Sequence, residues 1–231
     1  MRKRWRLIWR LTLLVFAALV VYESWFFGKL VWWIWVNPTN TAFMEARRES
    51  MREDNPEASI RHKWVPYADI SVHLKRALIA AEDAKFLDHD GFDWRALQRA
   101  ASRNLKSGKV VAGGSTITQQ LSKNLFLSSN RTPWRKLQEA AITVMMETVM
   151  SKRRILEIYL NVIEWGDGVF GAEAAARYYY RTSASGLSVD QSARLAAMVP
   201  NPRYYDRVRT TEALEKKTAI IRSRMYLSPV P

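Results

Sequence analysis

The chain contains no cysteine among its 231 residues. A disulfide framework and a thiolate metal site are therefore both excluded. The absence is compatible with an oxidising or a reducing compartment, so it does not locate the protein. The sequence also lacks internal repeats and a convincing series of strands, and its periodic segments have helical spacing.

Acidic residues are too few to balance the basic ones, 22 against 36, which leaves a formal charge of +14. Such an excess indicates an anionic partner, which could be nucleic acid, phospholipid headgroups or an anionic substrate. Most of the ten Trp residues precede residue 36. A membrane segment at the N-terminus would explain that bias, because Trp is enriched at membrane interfaces.

The N-terminal 36 residues have the pattern of a membrane anchor. A basic head precedes a mainly apolar run over 7–27, long enough to span a bilayer, and a Trp-rich belt extends to Val36. A cleavable signal peptide is the alternative, but Glu23 among bulky residues and the lack of a small-x-small site argue against it. We expect one uncleaved transmembrane helix, with the head in the cytoplasm, that ends between Phe27 and Val36.

The rest of the chain divides into a connector and one domain. The connector has Phe43, Met44 and Met51 at the spacing of a short amphipathic helix, which either lies on the membrane or is a solvated linker. The predicted divisions are 1–6 cytoplasmic basic head, 7–36 transmembrane anchor and aromatic belt, 37–66 juxtamembrane connector, and 67–231 extracytoplasmic domain.

Residues 81–93 contain five acids and one His behind an apolar helical run. Leu74 and Leu78 belong to a buried face that places Glu82 at its edge. Burial there would raise the pKa of Glu82 and make it a usable general base. The same position also fits a structural Glu that is paired with an Arg.

The next polar segment follows two glycines at 113–114. Thr116 and Gln119 form a predicted capping box that begins a helix. Thr116, Gln120, Lys123 and Asn124 would share one face of that helix. A helix N-terminus with an inward Lys predicts an anion site, and an ordinary capped helix is the alternative.

Further helices follow along the chain. Arg135 and Glu139 are four residues apart, which favours an exposed ion pair, and Arg153 with Glu157 predicts a structural pair. Helices are expected over 134–150, 152–161, 172–180 and 211–227, a second capping box at 188–191, and a mobile loop over 104–114.

Taken together, these segments resemble the signature motifs of the peptidoglycan glycosyltransferases, glycosyltransferase family 51. The resemblance covers about residues 60–205 and includes Glu82-Asp83-x-x-Phe86-x-x-His89-x-Gly91-x-Asp93, Gly114-Ser115-Thr116-Ile117-Thr118-Gln119-Gln120-Leu121-x-Lys123-Asn124, Arg135-Lys136-x-x-Glu139, Lys152-x-x-Ile155-Leu156-Glu157-x-Tyr159-Leu160-Asn161 and Pro200-Asn201-Pro202. Ser-x-x-Lys and Lys-Thr-Gly are absent, so the chain resembles the monofunctional biosynthetic members rather than bifunctional penicillin-binding proteins.

The resemblance implies a mainly α, lysozyme-like fold in two lobes that follows the single transmembrane helix. It implies an enzyme that polymerises lipid II into β-1,4-linked glycan with inversion and release of undecaprenyl diphosphate. Expected partners are lipid II, nascent glycan, the bacterial inner membrane and cell-wall synthesis proteins, with nucleic acid excluded. A lysozyme-like lytic enzyme is the alternative function, and a degenerate membrane-anchored scaffold is a second one.

The family's site residues map to this chain as follows. Glu82 corresponds to the catalytic base, and Glu139 to the second acid, which could act through a divalent ion such as Mg²⁺ or Mn²⁺. The implied substrate-binding residues are Asp83, Phe86, His89, Ser115, Thr116, Gln119, Gln120, Lys123, Asn124, Arg131, Arg135 and Lys136.

Overall fold

A computed structural model describes residues 2–109, 113–127 and 132–231 of the protein. The chain is mainly helical, as predicted. The helices are α1 (Arg2–Trp32), α2 (Ala42–Asp54), α3 (Val72–Glu82), α4 (Trp94–Ser107), α5 (Ile117–Phe126), α6 (Pro133–Val149), α7 (Lys152–Val162), α8 (Ala172–Tyr180), α9 (Val189–Met198), α10 (Pro202–Val208) and α11 (Glu212–Arg224). The strands are β1 (Arg61–His62), β2 (Glu164–Gly166) and β3 (Val169–Phe170).

Helix α1 is long and apolar enough over Arg4–Trp32 to cross a membrane. Residues 4–22 are exposed, but the last turns of the helix pack on the rest of the chain. Phe26 and Trp33 are buried there against Phe126 of α5, with ring centroids 5.2 and 5.1 Å from the Phe126 ring. Gln138 of α6 also donates a hydrogen bond to Glu23. The predicted apolar helix is therefore present and joined to the domain.

The buried core includes residues from two groups of packed helices. Helix α3 packs against α9 and α11, while α5 packs against α6 and α7. Leu74 and Leu78 are fully buried, which confirms the apolar face predicted for α3. Helix α2 packs on α5 and buries Met44, so the amphipathic segment of the connector covers the domain.

A small sheet has the order β1-β3-β2, with β1 parallel and β2 antiparallel to β3. These strands are only two or three residues long, which is too short for any alternation to be read from the sequence. Gly171 follows β3 with φ of +83°, and its Cα lies so close to Asn161 that a Cβ would be 2.6 Å from the carbonyl oxygen. The close approach fastens β3 to α7.

Two local predictions are wrong. The loop expected from residue 104 is helical as far as Ser107, because α4 begins at the Asp93 cap and ends only at Gly108, which is left-handed with φ of +65°. The pair expected between Arg153 and Glu157 is made instead by Arg154, at 2.6 Å, while Arg153 lies over the Tyr67 ring. Both neighbouring arginines are within helical reach of Glu157, so packing chose between them.

Candidate active site

Glu82 is the last residue of α3 and is held by an amide from α5. Gln120 Nε2 donates to Glu82 Oε2 at 2.9 Å, and the Tyr159 hydroxyl donates to Gln120 Oε1 at 2.7 Å. Because Tyr159 is fully buried, burial raises the pKa of its phenol well above its ordinary value. The hydroxyl therefore stays protonated, and its donation fixes which end of the Gln120 amide faces Glu82.

Burial raises the pKa of Glu82, since a desolvated carboxylate is less stable. The Gln120 hydrogen bond and the positive charges of Lys217 and Lys123 partly oppose that rise. Lys217 belongs to α11, and burial lowers the pKa of its ammonium while the charge of Glu82 raises it. Lys217 was not predicted from the sequence, because only the packing of α11 on α3 brings it near residue 82.

Asp83 and His89 form a support behind Glu82. Asp83 Oδ1 lies 2.9 Å from His89 Nε2, and Asp83 Oδ2 accepts from the Ile117 amide at 3.1 Å. Phe86 is fully buried, with the Lys152 ammonium 4.7 Å from its ring centroid. The structure thus places these three predicted site residues in the framework and does not bring them to the cleft lining.

The first turn of α5 is internally satisfied. Thr116 and Gln119 form the predicted capping box, and the Thr116 hydroxyl donates to the Gly91 carbonyl at 2.6 Å. Asp83 takes the Ile117 amide, so a described protein carboxylate already occupies this N-terminus. The anion site expected at this helix N-terminus stays a prediction, and the Ile117 amide is already engaged by Asp83. Ser115, just before it, is exposed and is not a lining residue of the cleft.

A cleft of about 400 Å³ lies beside Gln120. It is lined by Phe43, Gln120, Lys123, Asn124, Leu127, Arg135, Tyr159, Ile163, Glu164, Val199, Pro200, Asn201, Pro202 and Arg203. Gln120, Lys123 and Asn124 share it, as predicted, but Thr116 does not. Glu82 is partly exposed and lies behind Gln120, next to this lining. Three cations, Lys123, Arg135 and Arg203, face the cleft together.

Glu139 is a buried carboxylate that pairs with Arg135 and Lys136. Its carboxylate accepts from Arg135 at 3.1 Å and from Lys136, and its side chain is only 4% exposed. The exposed pair expected from the i,i+4 spacing is wrong, because α6 packs on α5 and buries this stripe. Lys136 is half exposed and lies outside the cleft lining, and Arg131 is outside the described residues.

Glu164 is a carboxylate in the lining of the cleft that was not predicted from the sequence. Burial raises the pKa of Glu164, and the cations of Arg203 and Arg47, with the Gly168 amide, partly oppose the rise. Arg47 Nε lies 3.4 Å from Glu164 Oε1, and Arg203 Nε lies 3.8 Å from Oε2. The signal in the sequence was a lone acid between the apolar residues Ile163 and Trp165.

Divalent-ion ligands do not converge in this arrangement. Among residues 2–109, 113–127 and 132–231, no group of three His, Asp or Glu side chains could hold a metal ion. The two oxygens of Glu139 accept from Arg135 and from Lys136. A divalent ion bound through Glu139 therefore stays a prediction.

Comparisons with known proteins identify relatives over nearly the whole chain. A family model described as "Transglycosylase" matches residues 49–226. A "Biosynthetic peptidoglycan transglycosylase" of Methylobacillus flagellatus is 61% identical, covering 98% of this chain and 99% of its own length. Proteins with the same name from Nitrosospira multiformis and Chromobacterium violaceum are 60% and 59% identical, covering 99% and 98% of this chain and 99% of each relative.

Proposed function

Because the chain belongs to the transglycosylase family, we propose that it polymerises lipid II into β-1,4-linked glycan and releases undecaprenyl diphosphate. The observation that carries this proposal is that the partly buried carboxylate of Glu82 lies beside a cleft lined by cations. Glu82 is oriented by Gln120, and Gln120 lines the same cleft as Lys123 and Arg135. A base beside fixed cations suits transfer from a diphosphate donor.

Glu82 is the base in the proposed reaction. The 4-hydroxyl of the acceptor sugar gives its proton to Glu82, and its oxygen attacks the anomeric carbon of the donor. The bond from that carbon to the diphosphate oxygen breaks, and the electron pair leaves with the diphosphate. A single displacement inverts the anomeric carbon, so an α-linked donor yields a β-linkage.

The cations of the cleft stabilise the departing diphosphate. Lys123 and Arg135 line the cleft from α5 and α6, and a preorganised charge there is worth more than the same charge in water. Glu139 is proposed to position Arg135 and Lys136 rather than to touch the sugar, because its carboxylate is buried beneath them. The Mg²⁺ or Mn²⁺ implied by the family resemblance stays a prediction, and no step above depends on it.

The membrane arrangement follows from the same substrate. We propose that α1 crosses the bacterial inner membrane with the basic head in the cytoplasm, which places the catalytic domain at the outer leaflet. The contacts of Phe126 with the last turns of α1 would hold the cleft at a constant height above that leaflet. Protein partners in cell-wall synthesis stay a prediction.

Polymerisation of purified lipid II by the full-length protein in detergent tests the proposal. We expect one undecaprenyl diphosphate to be released for each disaccharide unit that is added to the glycan polymer. In a parallel reaction the enzyme receives isolated sacculi, which a lytic enzyme would cleave to soluble muropeptides. Muropeptide release without polymer from lipid II would overturn the proposal in favour of the lytic alternative, whereas the biosynthetic names of the relatives favour synthesis.

A further inference from the structure

A second pocket opens next to the catalytic cleft and has no part in the reaction described above. Its volume is about 330 Å³, and it is lined by Arg47, Asp167, Asn201, Arg203, Tyr204 and Arg207. Asn201 and Arg203 also line the catalytic cleft, so the two spaces share a wall. A substrate seated in the cleft could therefore extend a side branch into this pocket.

The pocket holds more positive than negative charge. Arg47 is neutralised by Asp167 and by Glu164 at 3.4 Å. Arg203 is 55% exposed, and its ion pair with Glu164, at 3.8 Å, is too long for a hydrogen bond, so its N–H groups remain available to a ligand. Arg207 is exposed and has no hydrogen bond or ion pair with the part of the chain that the structure describes. Two guanidinium groups are thus open to an incoming anion.

Arg203 and Arg207 both lie on the short helix α10, which is held in position by hydrogen bonds. Arg203 and Arg207 are four residues apart on α10, so their side chains emerge on the same face. Asp206 of the same helix accepts from the Asp167 amide at 2.9 Å and pairs with Arg209 at 3.1 Å. The helix is therefore tied to the turn between β2 and β3, which orders the pocket before ligand arrives.

We propose that this pocket binds a carboxylate of the pentapeptide that the sugar substrate carries. The inference rests on the proposed function, since lipid II supplies that peptide. Guanidinium groups pair with carboxylates through two parallel hydrogen bonds, and the Tyr204 ring offers a face for the peptide's apolar atoms. The diphosphate has its own cations, Lys123 and Arg135, on α5 and α6, whereas these arginines come from a different element.

The experiment compares two substrates on the full-length enzyme in detergent. One is lipid II with a free-acid peptide, and the other is lipid II whose peptide carboxylates are all converted to carboxamides. The variants are Arg207→Gln, the double variant Arg203→Gln/Arg207→Gln, and Arg224→Gln as a control. Arg224 is equally exposed on α11 and is likewise without an ion pair to the described residues, so it matches the charge change.

For the wild type we expect a KM that is lower for the free-acid substrate. Arg207→Gln should raise that KM about twofold to fivefold, as expected for one exposed Arg–carboxylate pair, and bring the ratio of the two KM values toward one. The double variant should bring the ratio of the two KM values still closer to one, and Arg224→Gln should keep the wild-type ratio. The kcat of Arg207→Gln should not change for either substrate.

Three results would overturn the inference. The first is a wild type that uses both substrates with the same KM, which leaves the proposed polymerase activity intact. The second is an Arg207→Gln enzyme that weakens both substrates equally, which would indicate a phosphate contact. The third is an effect of Arg224→Gln of the same size, which would show that the KM responds to the overall surface charge and not to this pocket. Failure of the wild type to polymerise either substrate would overturn the proposed function itself.

Discussion

Replacement of the Glu82 carboxylate by an amide separates catalysis from folding at one position. In Glu82→Gln the amide oxygen can still accept from Gln120 Nε2, so the link between α3 and α5 is retained. The negative charge and the ability to take a proton are both lost. The protein should therefore fold normally and fail as an enzyme.

The size of the activity loss follows from the role of a general base. A positioned base contributes about a hundredfold to ten-thousandfold in rate, which corresponds to about 2.7–5.4 kcal/mol in the activation free energy. Lys123 and Arg135 are unchanged in the variant, so substrate binding should remain. We expect the loss in kcat and little change in KM.

The same variant that loses activity should gain stability at high pH. Burial raises the pKa of Glu82 in the folded state above its value in the unfolded chain, so the native protein binds more protons over that interval. Wild-type stability therefore falls as pH rises from the unfolded pKa, about 4.3, through the folded one. Glu82→Gln lacks this penalty and should have the higher Tm at pH 8 but not at pH 4.

The assay measures lipid II turnover and thermal unfolding on one preparation of each protein. Glu49→Gln is the matched control, because Glu49 is exposed and makes no ion pair with the described residues. It should leave turnover unchanged. Retention of more than about a tenth of wild-type kcat by Glu82→Gln would refute the base assignment. A lower Tm at pH 8 would refute the argument that burial penalises the charge.

Three other changes test separate parts of the structure. Gln120→Leu removes a hydrogen bond that lowers the pKa of Glu82, so the acidic limb of the kcat/KM profile should move to higher pH, and an unmoved limb would contradict that coupling. Gly171→Ala places a Cβ against a backbone carbonyl at positive φ and should cost about 1–3 kcal/mol, measured as a Tm drop, whereas Gly113→Ala meets no atom within 4 Å and should not. Phe126→Ala removes the ring that packs on α1 and should expose the junction between anchor and domain to limited proteolysis; an unchanged cleavage rate would contradict that packing.

The helical architecture could be read from the chain because its determinants are local. The buried face of α3, the capping box at Thr116 and the apolar run of α1 each depend on residues within a few turns. Short strands such as β1 and β3 carry no such local pattern, since their pairing joins segments over a hundred residues apart. Local pattern therefore predicted most of the helices, but it missed α4, α10 and the sheet.

The candidate site divides in the same way. The motifs around Glu82, Lys123, Arg135 and Glu139 were identifiable in the sequence, because each is a compact run of chemically distinctive residues. Their burial was not, and Glu139 was expected on the surface. Burial depends on which helix packs over a given face, which residues four apart cannot specify.

By itself the sequence determined the apolar N-terminal helix, most of the other helices and the family to which the chain belongs. Only the tertiary structure decided that Asp83 accepts the Ile117 amide of α5, that Gln120 orients Glu82, and that Lys217 of α11 approaches the same carboxylate. These relations join elements that are distant in the chain, and no short-range rule encodes them. The physical reason is that the packing of the helices determines both how far a charged group is removed from water, which shifts its pKa, and which groups lie next to it.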